Sequence, residues 1–521
     1  MTVPDRAPVS PRPVGLPPVP LSVIAALAGV SVDGGGAGRG VTGVTLHSVD
    51  VRPGDLFLAL AGSRTHGAAH AGDAARAGAV AILTDAAGAV MLGDDPHAAG
   101  LPVLISPRPR ASIGAVAAEI YHHPSRAMRV VGVTGTSGKT TTCYFLEAVL
   151  AAAGRRVGLI GTVGARIEGQ PVPSALTTPE APDLQALFAV MRQRGVDTVA
   201  MEVSSHALAL GRVDGTRFDV AAFTNLTQDH LDFHGDMEHY FAAKRLLFDG
   251  RARAEVVVID DEYGRRLAAL RPDAVTVSAR PDGGADWTVQ AQAADGPGEL
   301  GAQRLVVAGP AGEVSATIHL PGAFNATNAA TALACAHLAG ADTGAAASGL
   351  AAVHVPGRMQ RIDLGQPFLA IVDYAHKPAA VAAALAAVRR HGAGRVIVVL
   401  GAGGDRDHGK RPVMGRMAAA AADVVIVTDD NPRSEDPAEI RAQVLTGTRG
   451  SAAEVWEIGD RRAAIAAAVA AARPGDVVLV AGKGHEEGQE IAGVVHHFSD
   501  VEELTGALRI RVRGAGPGEA R

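Results

Sequence analysis

A glycine-rich loop between a strand and a helix is the sequence feature that most constrains the fold. The apolar run 130–133 is followed, after Thr134, by Gly135-Thr-Ser-Gly-Lys-Thr-Thr141 and then by a helix-forming segment. Glycines let backbone N–H groups approach phosphate oxygens, and the N-terminus of the next helix attracts negative charge. Lys139 can reach terminal phosphates, and the Thr140 hydroxyl can bind Mg²⁺. A turn without a ligand is the alternative, but this order of residues favours a nucleoside-triphosphate site in a parallel α/β domain.

Length and composition indicate a multidomain protein of a reducing compartment. At roughly 150 residues per domain, 521 residues correspond to about three domains. The only two cysteines, Cys143 and Cys335, are too few for a disulfide framework, and a cytoplasmic location fits this usage. The net charge of −6 and the lack of a polybasic block give no reason to expect a nucleic-acid partner. Apolar runs are interrupted before the ~20 residues that a membrane span needs, so no span is expected.

The order of strand and helix patterns predicts an α/β protein with three domains. Apolar runs alternate with helical stretches in the middle of the chain, which is typical of a parallel sheet. A second series from residue 370 predicts an open, doubly wound, Rossmann-like sheet. Three short runs predict an antiparallel patch in the central segment: 287–292, 304–308 and 314–319. The predicted divisions are a disordered leader, an N-terminal α/β domain, a central domain with the phosphate loop, a C-terminal domain and a flexible tail: 1–20, 21–128, 129–353, 354–510 and 511–521.

Polar side chains collect where the strands of the central segment end. Glu202 closes an otherwise apolar strand, where a carboxylate is an expected Mg²⁺ ligand. Lys244, judged by its helical surroundings alone, is typical of a surface lysine. Asn325 and Asn328 share one helix face and can either recognise a nucleotide or cap the helix. Two carboxylates and two histidines follow another strand and predict one metal ligand without selecting it: Asp229, His230, Asp232 and His234.

Three charged loops follow successive strands of the C-terminal segment, at residues 401–411, 429–433 and 481–486. Loops at the carboxyl ends of parallel strands lie along one edge of a sheet. Arginine can bind a carboxylate through two hydrogen bonds, and a carboxylate can bind an ammonium group. Solvated surface loops are the alternative. The pattern predicts a pocket for a zwitterionic ligand.

The motifs in this order resemble the Mur ligases of peptidoglycan synthesis, over about Leu46 to Leu508. The motifs are G-T-S-G-K-T-T, T-T-P, M-E-V-S-S-H-A-L, T-N-L-T-Q-D-H-L-D-F-H, the Asn pair, V-P-G-R-M-Q, V-D-Y-A-H, G-G-D-R-D, D-D-N-P-R and G-K-G-H-E. The resemblance implies a UDP-binding N-terminal domain, a central ATPase domain and an amino-acid-binding C-terminal domain. It is strongest to the branch that joins meso-diaminopimelate to the D-glutamate γ-carboxylate of UDP-N-acetylmuramoyl-L-alanyl-D-glutamate through an acyl phosphate. ATP would be the cosubstrate and Mg²⁺ the cofactor of a cytoplasmic monomer.

The resemblance also implies which residues hold ATP and metal. Lys139, Glu202, His230 and Lys244 would be catalytic, with Lys244 carbamylated on its amine, which requires a neutral amine and therefore a depressed pKa. Thr140 and Glu202 would bind one Mg²⁺, and His230 and Lys244 the second. The ATP contacts would be Gly135, Thr136, Ser137, Gly138, Lys139, Thr140, Thr141, Asn325, Asn328, Arg358 and Asp373.

Further matches concern the nucleotide-sugar dipeptide. The implied contacts are Ser48, Thr177, Thr178, Ser204 and Arg212. The family usually has Asp-Ser-Arg around the serine, whereas this chain has His47-Ser48-Val49, which weakens the assignment of uridine contacts. Where relatives often have Gln two residues before the arginine, this chain has Leu210, so one polar contact is missing or replaced.

The diaminopimelate contacts implied by the resemblance lie in the three C-terminal loops: Arg406, Asp430, Asn431, Pro432, Arg433, Gly482 and Glu486. The Asn-Pro-Arg form is associated with diaminopimelate, and lysine-adding relatives lack this arginine. Arg433 can pair with the distal carboxylate that lysine does not have. A lysine substrate would leave the guanidinium unpaired, which is costly in a closed pocket.

Parts of the sequence pattern also occur in proteins of other function. A lysine-adding relative is an alternative, as is a folylpolyglutamate synthase, although the latter normally lacks a separate UDP-binding domain. From another class, a regulatory NTPase would hydrolyse ATP without an amine acceptor. The general base for the amine is not identifiable from the sequence, and His206 and His376 are the candidates.

Overall fold

The computed structural model describes residues 11–32, 36–62, 65–93, 97, 100–174, 176–294, 302–310, 312–389 and 394–514. The chain folds into two compact units. The first comprises residues up to Ser278 together with Ala285–Trp287 and Thr331–Ala347, and the second comprises Ala279–Gly284, Thr288–Ala330 and the chain from Ser348 onward. None of the helices in these described ranges has the length and apolar character that would let it cross a bilayer.

The N-terminal part of the first unit is a small α/β arrangement. A four-stranded parallel sheet of order β3-β4-β5-β6 packs against helices through a core that includes Ile24, Leu56, Leu83 and Val116. The elements are β1 (Val19–Pro20), α1 (Leu21–Leu27), β2 (Gly40–Val41), β3 (Gly43–Thr45), β4 (Asp55–Ala59), α2 (Ala71–Arg76), β5 (Ala81–Thr84), α3 (Ala86–Leu92), β6 (Val103–Ile105) and α4 (Pro109–Ile120).

The predicted disordered leader over 1–20 is wrong from residue 11 onward. The Arg12 guanidinium forms an ion pair of 2.6 Å with the buried carboxylate of Asp55. The backbone of Val14 exchanges two hydrogen bonds with the side chain of Gln193, and β1 pairs with β2. A proline-rich segment is ordered here because its arginine compensates a carboxylate that burial would otherwise penalise. Residues 1–10 lie outside the described residues.

The remainder of the first unit is built on a larger sheet. Its parallel strands have the order β8-β11-β7-β12-β13-β14, and β9 and β10 extend it antiparallel beyond β8. Burial on both faces explains the continuous apolar runs in the sequence. The elements are β7 (Arg129–Thr134), α5 (Lys139–Ala152), β8 (Val157–Gly161), β9 (Gly164–Ile167), β10 (Gln170–Val172), α6 (Ala181–Gln193), β11 (Thr198–Glu202), α7 (Ser205–Ala209), β12 (Phe218–Phe223), α8 (Leu231–His234), α9 (Met237–Arg245), β13 (Ala252–Val258), α10 (Glu262–Leu270) and β14 (Val275–Ser278).

The predicted antiparallel patch is confirmed. Strand β16 pairs antiparallel with both β15 and β17. The elements of this stretch are β15 (Trp287–Ala294), β16 (Gln303–Gly309), β17 (Gly312–Ile318), α11 (Ala323–Leu338) and α12 (Thr343–Ala346).

The C-terminal part is the doubly wound sheet that the sequence predicts. Its order is β18-β19-β23-β20-β21-β22, with all pairs parallel except β18 with β19, and β24 and β25 form a separate hairpin. The elements are β18 (Gln360–Arg361), β19 (Leu369–Asp373), α13 (Pro378–Arg389), β20 (Val396–Leu400), α14 (Lys410–Ala421), β21 (Val424–Val427), α15 (Pro437–Thr446), β22 (Glu454–Glu457), α16 (Arg461–Ala471), β23 (Val477–Ala481), β24 (Gly488–Ile491), β25 (Val494–His497) and α17 (Asp500–Gly514).

The predicted flexible tail over 511–521 is wrong for its first four residues, which belong to α17. Arg511 donates hydrogen bonds to the carbonyls of Val469 and Ala470 near the end of α16. A cation at these carbonyls satisfies groups that a helix end leaves without partners. Residues 515–521 lie outside the described residues.

Candidate active site

The glycine-rich loop adopts a phosphate-binding geometry between β7 and α5. Gly135 has φ 147° and Gly138 has φ 90°, which favour glycine over other residues. A side chain at Gly135 would also collide with the hydroxyl of Thr224. The Lys139 ammonium lies over the loop and donates hydrogen bonds to the carbonyls of Gly135, at 2.8 Å, and Thr136, at 3.1 Å. The cation and the helix N-terminus therefore lie at the same point, where an anion is favoured.

The segment after β12 holds this loop in place. The backbone N–H groups of Thr136 and Ser137 donate to the backbone and side-chain oxygens of Asn225, at 2.9 and 3.0 Å. The Thr224 hydroxyl donates to the Ser137 carbonyl at 2.7 Å. The Thr136 hydroxyl lies 3.2 Å from that of Tyr240. These bonds fix the loop backbone before any ligand arrives.

Lys244 is buried beneath the loop. The surface position that its helical surroundings alone predict is therefore wrong. Its side chain lies on α9 and is 1% exposed. The Nζ atom donates to the Gly135 carbonyl at 2.8 Å and lies 4.6 Å from the centroid of the Tyr240 ring. The side chain is thus within reach of the phosphate-binding loop.

Glu202 ends β11, the strand next to β7, so it lies at the same sheet edge as the loop. The side chain is 1% exposed, and its two oxygens accept hydrogen bonds from the backbone and hydroxyl of Thr162, at 2.8 and 3.0 Å. The Thr177 hydroxyl lies 3.2 Å from that of Thr162, and the Thr178 hydroxyl bonds both the Glu202 carbonyl and the Ser204 N–H. Glu202 and three of the predicted dipeptide contacts therefore form one polar surface.

Arg212 joins this surface, but Ser48 does not. The guanidinium of Arg212 pairs with Glu180 at 2.8 Å and donates to the Thr178 carbonyl at 3.4 Å. Ser48 instead begins a one-turn 3-10 helix between β3 and β4, which belong to the other sheet of this unit, and the adjoining Val49 is 72% exposed. Glu180 was not identified from the sequence, although it stands two residues after the Thr-Thr pair.

The two histidines beyond β12 pack edge-on against His206 of α7. His230 has φ 52° and pairs with Asp229 at 3.0 Å, and its ring centroid lies 4.8 Å from that of His206. Burial, with neighbouring His206 and His230, lowers the pKa of His234 to about 4. Burial, His230 and Arg212 lower the pKa of His206. These two imidazoles are therefore neutral near pH 7. Within the described ranges, no three His, Cys, Asp or Glu side chains are arranged to hold a metal ion by themselves.

The three charged loops of the second unit lie together at the carboxyl edge of its sheet. The Asn431 amide donates to Glu486 Oε2 at 3.0 Å. Gly482 has φ 127°, and a Cβ there would lie 2.8 Å from a carboxylate oxygen of Asp430. The structure therefore brings together side chains that the sequence placed in two separate loops.

Arg433 is held by the neighbouring loop and by the hairpin. It has φ 53°, donates to the Gly404 carbonyl at 2.6 Å and pairs with Glu490 of β24 at 3.3 Å. A Cβ at Gly403 would lie 3.0 Å from Arg433 Nη1 and 4.0 Å from Arg406 Cγ, so the two arginines flank this glycine. Pro432 accepts a hydrogen bond from Glu435 N–H at 3.1 Å within the same turn. Arg406 is exposed.

The remaining predicted ATP contacts in the second unit have internal partners. The Asn325 amide donates to the Pro321 carbonyl at 2.8 Å, and Asn328 donates to the Asn325 side chain at 3.2 Å. Asp373 accepts from the backbone N–H groups of Met359 and Ala375. Burial raises the pKa of Asp373, although the Arg358 guanidinium opposes this effect.

Two further residues near this edge interact strongly and were missed from the sequence. Arg411 is fully buried and pairs with Glu435 through hydrogen bonds of 2.8 and 2.9 Å. This pair joins the first turn of α14 to the loop after β21. Because Arg411 supports the Glu435 carboxylate, the pKa of Glu435 falls to about 2. The spacing of Glu435, two residues after Arg433, could have drawn attention to it, but its partner is fixed only by the fold.

Replacing Glu435 with Gln should destabilise the second unit in a pH-dependent manner. The pKa of Glu435 in the folded protein is depressed from 4.5 to about 2. The ion pair therefore stabilises the folded state fully at pH values above 4.5, and this contribution is lost as the pH falls from 4.5 to about 2. We expect a loss of about 1–3 kcal/mol at neutral pH, since Arg411 is left without its carboxylate. Urea unfolding from neutral pH down to about pH 3 measures this, and the difference from the parent should shrink on acidification. The exposed Glu439, changed to Gln, is the control; a Glu435 effect independent of pH would contradict the assignment.

Three known protein-domain families match this chain, and together they cover most of the sequence. Residues 40–121 match the Mur ligase family catalytic domain, residues 133–336 the Mur ligase middle domain, and residues 357–484 the Mur ligase glutamate ligase domain. The chain belongs to the Mur ligase family.

Curated Mur ligases are similar over nearly the whole length. A UDP-N-acetylmuramoyl-L-alanyl-D-glutamate–2,6-diaminopimelate ligase of Corynebacterium efficiens is 56% identical over 465 residues, which is 87% of each chain. The ligase of the same name from Streptomyces coelicolor is 52% identical over 511 residues, covering 96% of this chain and 99% of its own. A solved structure of a ligase of this name has a TM-score of 0.66 and 30% identity, and covers 95% of this chain and 99% of its own. The predicted Mur ligase fold is confirmed, and its three family domains are matched in succession along the chain.

Proposed function

We propose that this Mur ligase joins 2,6-diaminopimelate, in its meso form, to the D-glutamate γ-carboxylate of UDP-N-acetylmuramoyl-L-alanyl-D-glutamate, with ATP as cosubstrate. The observation that carries the proposal is the 52–56% identity with ligases so named over at least 87% of each chain. The phosphate-binding loop, the Glu202 surface and the arginine-containing loops supply the three kinds of binding group that this reaction needs. We propose that the reaction takes place in the cytoplasm, where ATP and nucleotide-linked substrates are found, and that the chain acts there as a monomer.

The reaction proceeds by phosphoryl transfer followed by amide formation. The γ-carboxylate attacks the γ-phosphorus of ATP, which gives an acyl phosphate and ADP. The amine of diaminopimelate then attacks the acyl carbon, loses a proton, and phosphate leaves the tetrahedral intermediate. Loop N–H groups and the Lys139 ammonium stabilise charge on the transferring group. The chain otherwise positions its substrates and excludes water, which would hydrolyse the acyl phosphate.

The residues near the loop suit Mg²⁺. The Thr140 hydroxyl and the buried Glu202 carboxylate are oxygen donors of the kind that Mg²⁺ prefers, and phosphate oxygens would complete the coordination. When bound, Mg²⁺ neutralises charge on phosphate and carboxylate oxygens. We propose that His230 and carbamylated Lys244 hold a second ion. Carbamylation replaces an ammonium donor with an anionic oxygen ligand, which is why Lys244 suits this role only after modification.

Recognition of diaminopimelate is proposed to use the three loops of the second unit. Arg406 and Arg433 would bind carboxylates, Asp430, Asn431 and Glu486 would bind an ammonium, and Pro432 and Gly482 would shape the backbone. Arg433 also pairs with Glu490, so a lysine substrate would not leave its guanidinium without a carboxylate partner, as the sequence alone suggested. We propose that lysine is rejected because it lacks the distal carboxylate that would bind Arg433.

We propose that the remaining substrate contacts come from both units of the chain. Thr177, Thr178, Ser204 and Arg212 would bind the dipeptide end of the nucleotide substrate, and Ser48 its uridine end. Residues 135–141 with Asn325, Asn328, Arg358 and Asp373 would bind ATP. His376 is a poor candidate for the base, because burial and nearby Lys377 lower its pKa to about 3.

A single assay tests the proposed function. Purified protein is incubated with ATP, UDP-N-acetylmuramoyl-L-alanyl-D-glutamate, and either diaminopimelate or lysine, and the product is identified by mass. A diaminopimelate tripeptide with stoichiometric ADP is expected. A lysine product would favour the lysine-adding alternative, polyglutamylation of folate would favour the folylpolyglutamate synthase, and ADP release independent of an amine would favour a regulatory NTPase.

A further inference from the structure

A fully buried lysine underlies the proposed amino-acid site. Lys483 follows β23, the strand between β19 and β20, and its side chain is 0% exposed. Its Nζ atom lies 3.0 Å from Asn431 Oδ1, 3.3 Å from Glu486 Oε2 and 3.6 Å from Asp430 Oδ1. The contacts with Asn431 and Glu486 are hydrogen bonds, and the contact with Asp430 is an ion pair. Each of the three partners is a residue assigned above to diaminopimelate binding.

The charges in this cluster do not cancel. Asp430 and Glu486 together carry two negative charges against the single positive charge of Lys483. The exposed fractions of the side chains are 0% for Lys483, 8% for Asp430 and 34% for Glu486. The cation is thus sealed below the pocket, while the carboxylate most open to solvent is Glu486. An ammonium ligand approaching from solvent meets a net negative surface and does not meet Lys483.

Lys483 also joins two loops that would otherwise be held separately. Asn431 belongs to the loop after β21, and Glu486 to the loop after β23. Glu486 Oε2 accepts from both the Asn431 amide and Lys483, and Asn431 Oδ1 accepts from both Lys483 and the Glu490 N–H. Asn431 thereby has a single amide orientation that satisfies every one of these bonds.

We propose that Lys483 is a positioning residue for the amino-acid substrate: its buried ammonium fixes Asp430, Asn431 and Glu486 as one unit and leaves a net negative charge facing the substrate ammonium. This inference rests on the proposed function, which supplies the identity of the substrate. Without the cation, two neighbouring carboxylates repel one another, and one of them takes up a proton or turns towards solvent. Either change removes the preformed ammonium site without touching the nucleotide site.

The test compares Lys483→Met, a neutral side chain of similar length, with Lys483→Gln, which keeps hydrogen-bonding atoms and removes the charge. Both variants should raise the KM for diaminopimelate by at least about 10-fold, since a buried charge partner is lost. The KM values for ATP and for the nucleotide dipeptide, and kcat at saturating diaminopimelate, should change little. Circular dichroism and thermal unfolding verify that the variants are folded.

The matched control is Arg395→Met at the opposite end of β23. Arg395 pairs at 2.9 Å with Asp476, which is 4% exposed and precedes the strand, so this change also removes the cation partner of a buried carboxylate. It should lower stability without changing the KM for diaminopimelate.

The possible outcomes separate the two proposals. Unchanged KM for diaminopimelate in both Lys483 variants overturns the positioning role. Equal increases in all three KM values, or the same amino-acid defect in the Arg395 control, also overturn it, because the lysine would then serve the fold alone. If the unaltered protein makes no diaminopimelate product, the proposed function fails, and that result does not depend on either variant.

Discussion

Lys244→Met is expected to reduce turnover by at least about 1000-fold, through loss of charge stabilisation at the transferring phosphoryl group. The side chain is 1% exposed and its Nζ atom is bonded to the Gly135 carbonyl of the phosphate-binding loop. Methionine fills a similar volume, so the fold should persist. Neither the ammonium nor the proposed carbamate can form on methionine, and added bicarbonate should not restore activity.

A spectroscopic measurement distinguishes the carbamate from a simple bracing role for the ammonium. Protein equilibrated with ¹³C-labelled bicarbonate should show a carbamate carbon resonance that is absent in Lys244→Met. The control is Arg245→Met, which changes the next residue of the same helix on its exposed side. Near-normal turnover in Lys244→Met, or full activity in protein that shows no carbamate resonance, would mean that the modification has no part in the reaction.

Arg433→Met is expected to raise the KM for diaminopimelate by about 100-fold, because a charge-assisted contact to the distal carboxylate is lost. The KM for ATP should be little affected, since Arg433 is bonded within the amino-acid loops to Gly404 and Glu490. Discrimination between diaminopimelate and lysine should decrease in parallel. Steady-state kinetics measure these quantities when each amino acid is varied at saturating ATP and nucleotide dipeptide, and when ATP is varied at saturating diaminopimelate.

Two further variants sharpen this test. Arg433→Lys keeps a positive charge but not the planar fork, so it should lie between the parent and Arg433→Met. Arg389→Met removes a half-exposed arginine that pairs with Asp423 at 2.7 Å, outside the three loops, and should leave both KM values unchanged. Equal losses for ATP and diaminopimelate in Arg433→Met would contradict the specificity assignment.

The parts of the fold that could be predicted from the sequence are those buried on both faces. Strands β20 and β21 coincide with the apolar runs 396–400 and 424–427 of the sequence, because every residue in these runs is buried in the interior of the sheet. Strand β22, with sequence Glu-Val-Trp-Glu, lies at the sheet edge and is at most half-buried, so it lacks the apolar run that identifies an interior strand. The β24–β25 hairpin was missed for the same reason, since Val494 and Val495 are 54% and 69% exposed.

In the candidate site, some residues could also be placed from the sequence and others could not. Residues at strand ends could be placed near others on the same sheet, because parallel strands share a carboxyl edge: Glu202 near the phosphate-binding loop, and Asp430 near Gly482. Their partners could not be placed in this way. Glu490 and Lys483 act through ion pairs and hydrogen bonds whose geometry depends on loop conformations that no periodic pattern specifies. The burial of Lys244 likewise depends on how α9 packs beneath the loop.

The pairing of the hairpin with the arginine loop has a consequence for changing amino-acid preference. Arg433 bridges to Ile491 as in a parallel strand pair, and its backbone N–H and carbonyl bond to Glu490 and Ala492. The left-handed backbone of Arg433 is thereby stabilised from outside its own loop. If the Asp-Asn-Pro-Arg segment alone were exchanged with that of a homologue, the hairpin residues that hydrogen-bond to the Arg433 backbone would not be transferred with it. Transfer of substrate choice between family members should therefore require that residues 488–497 move together with the loop.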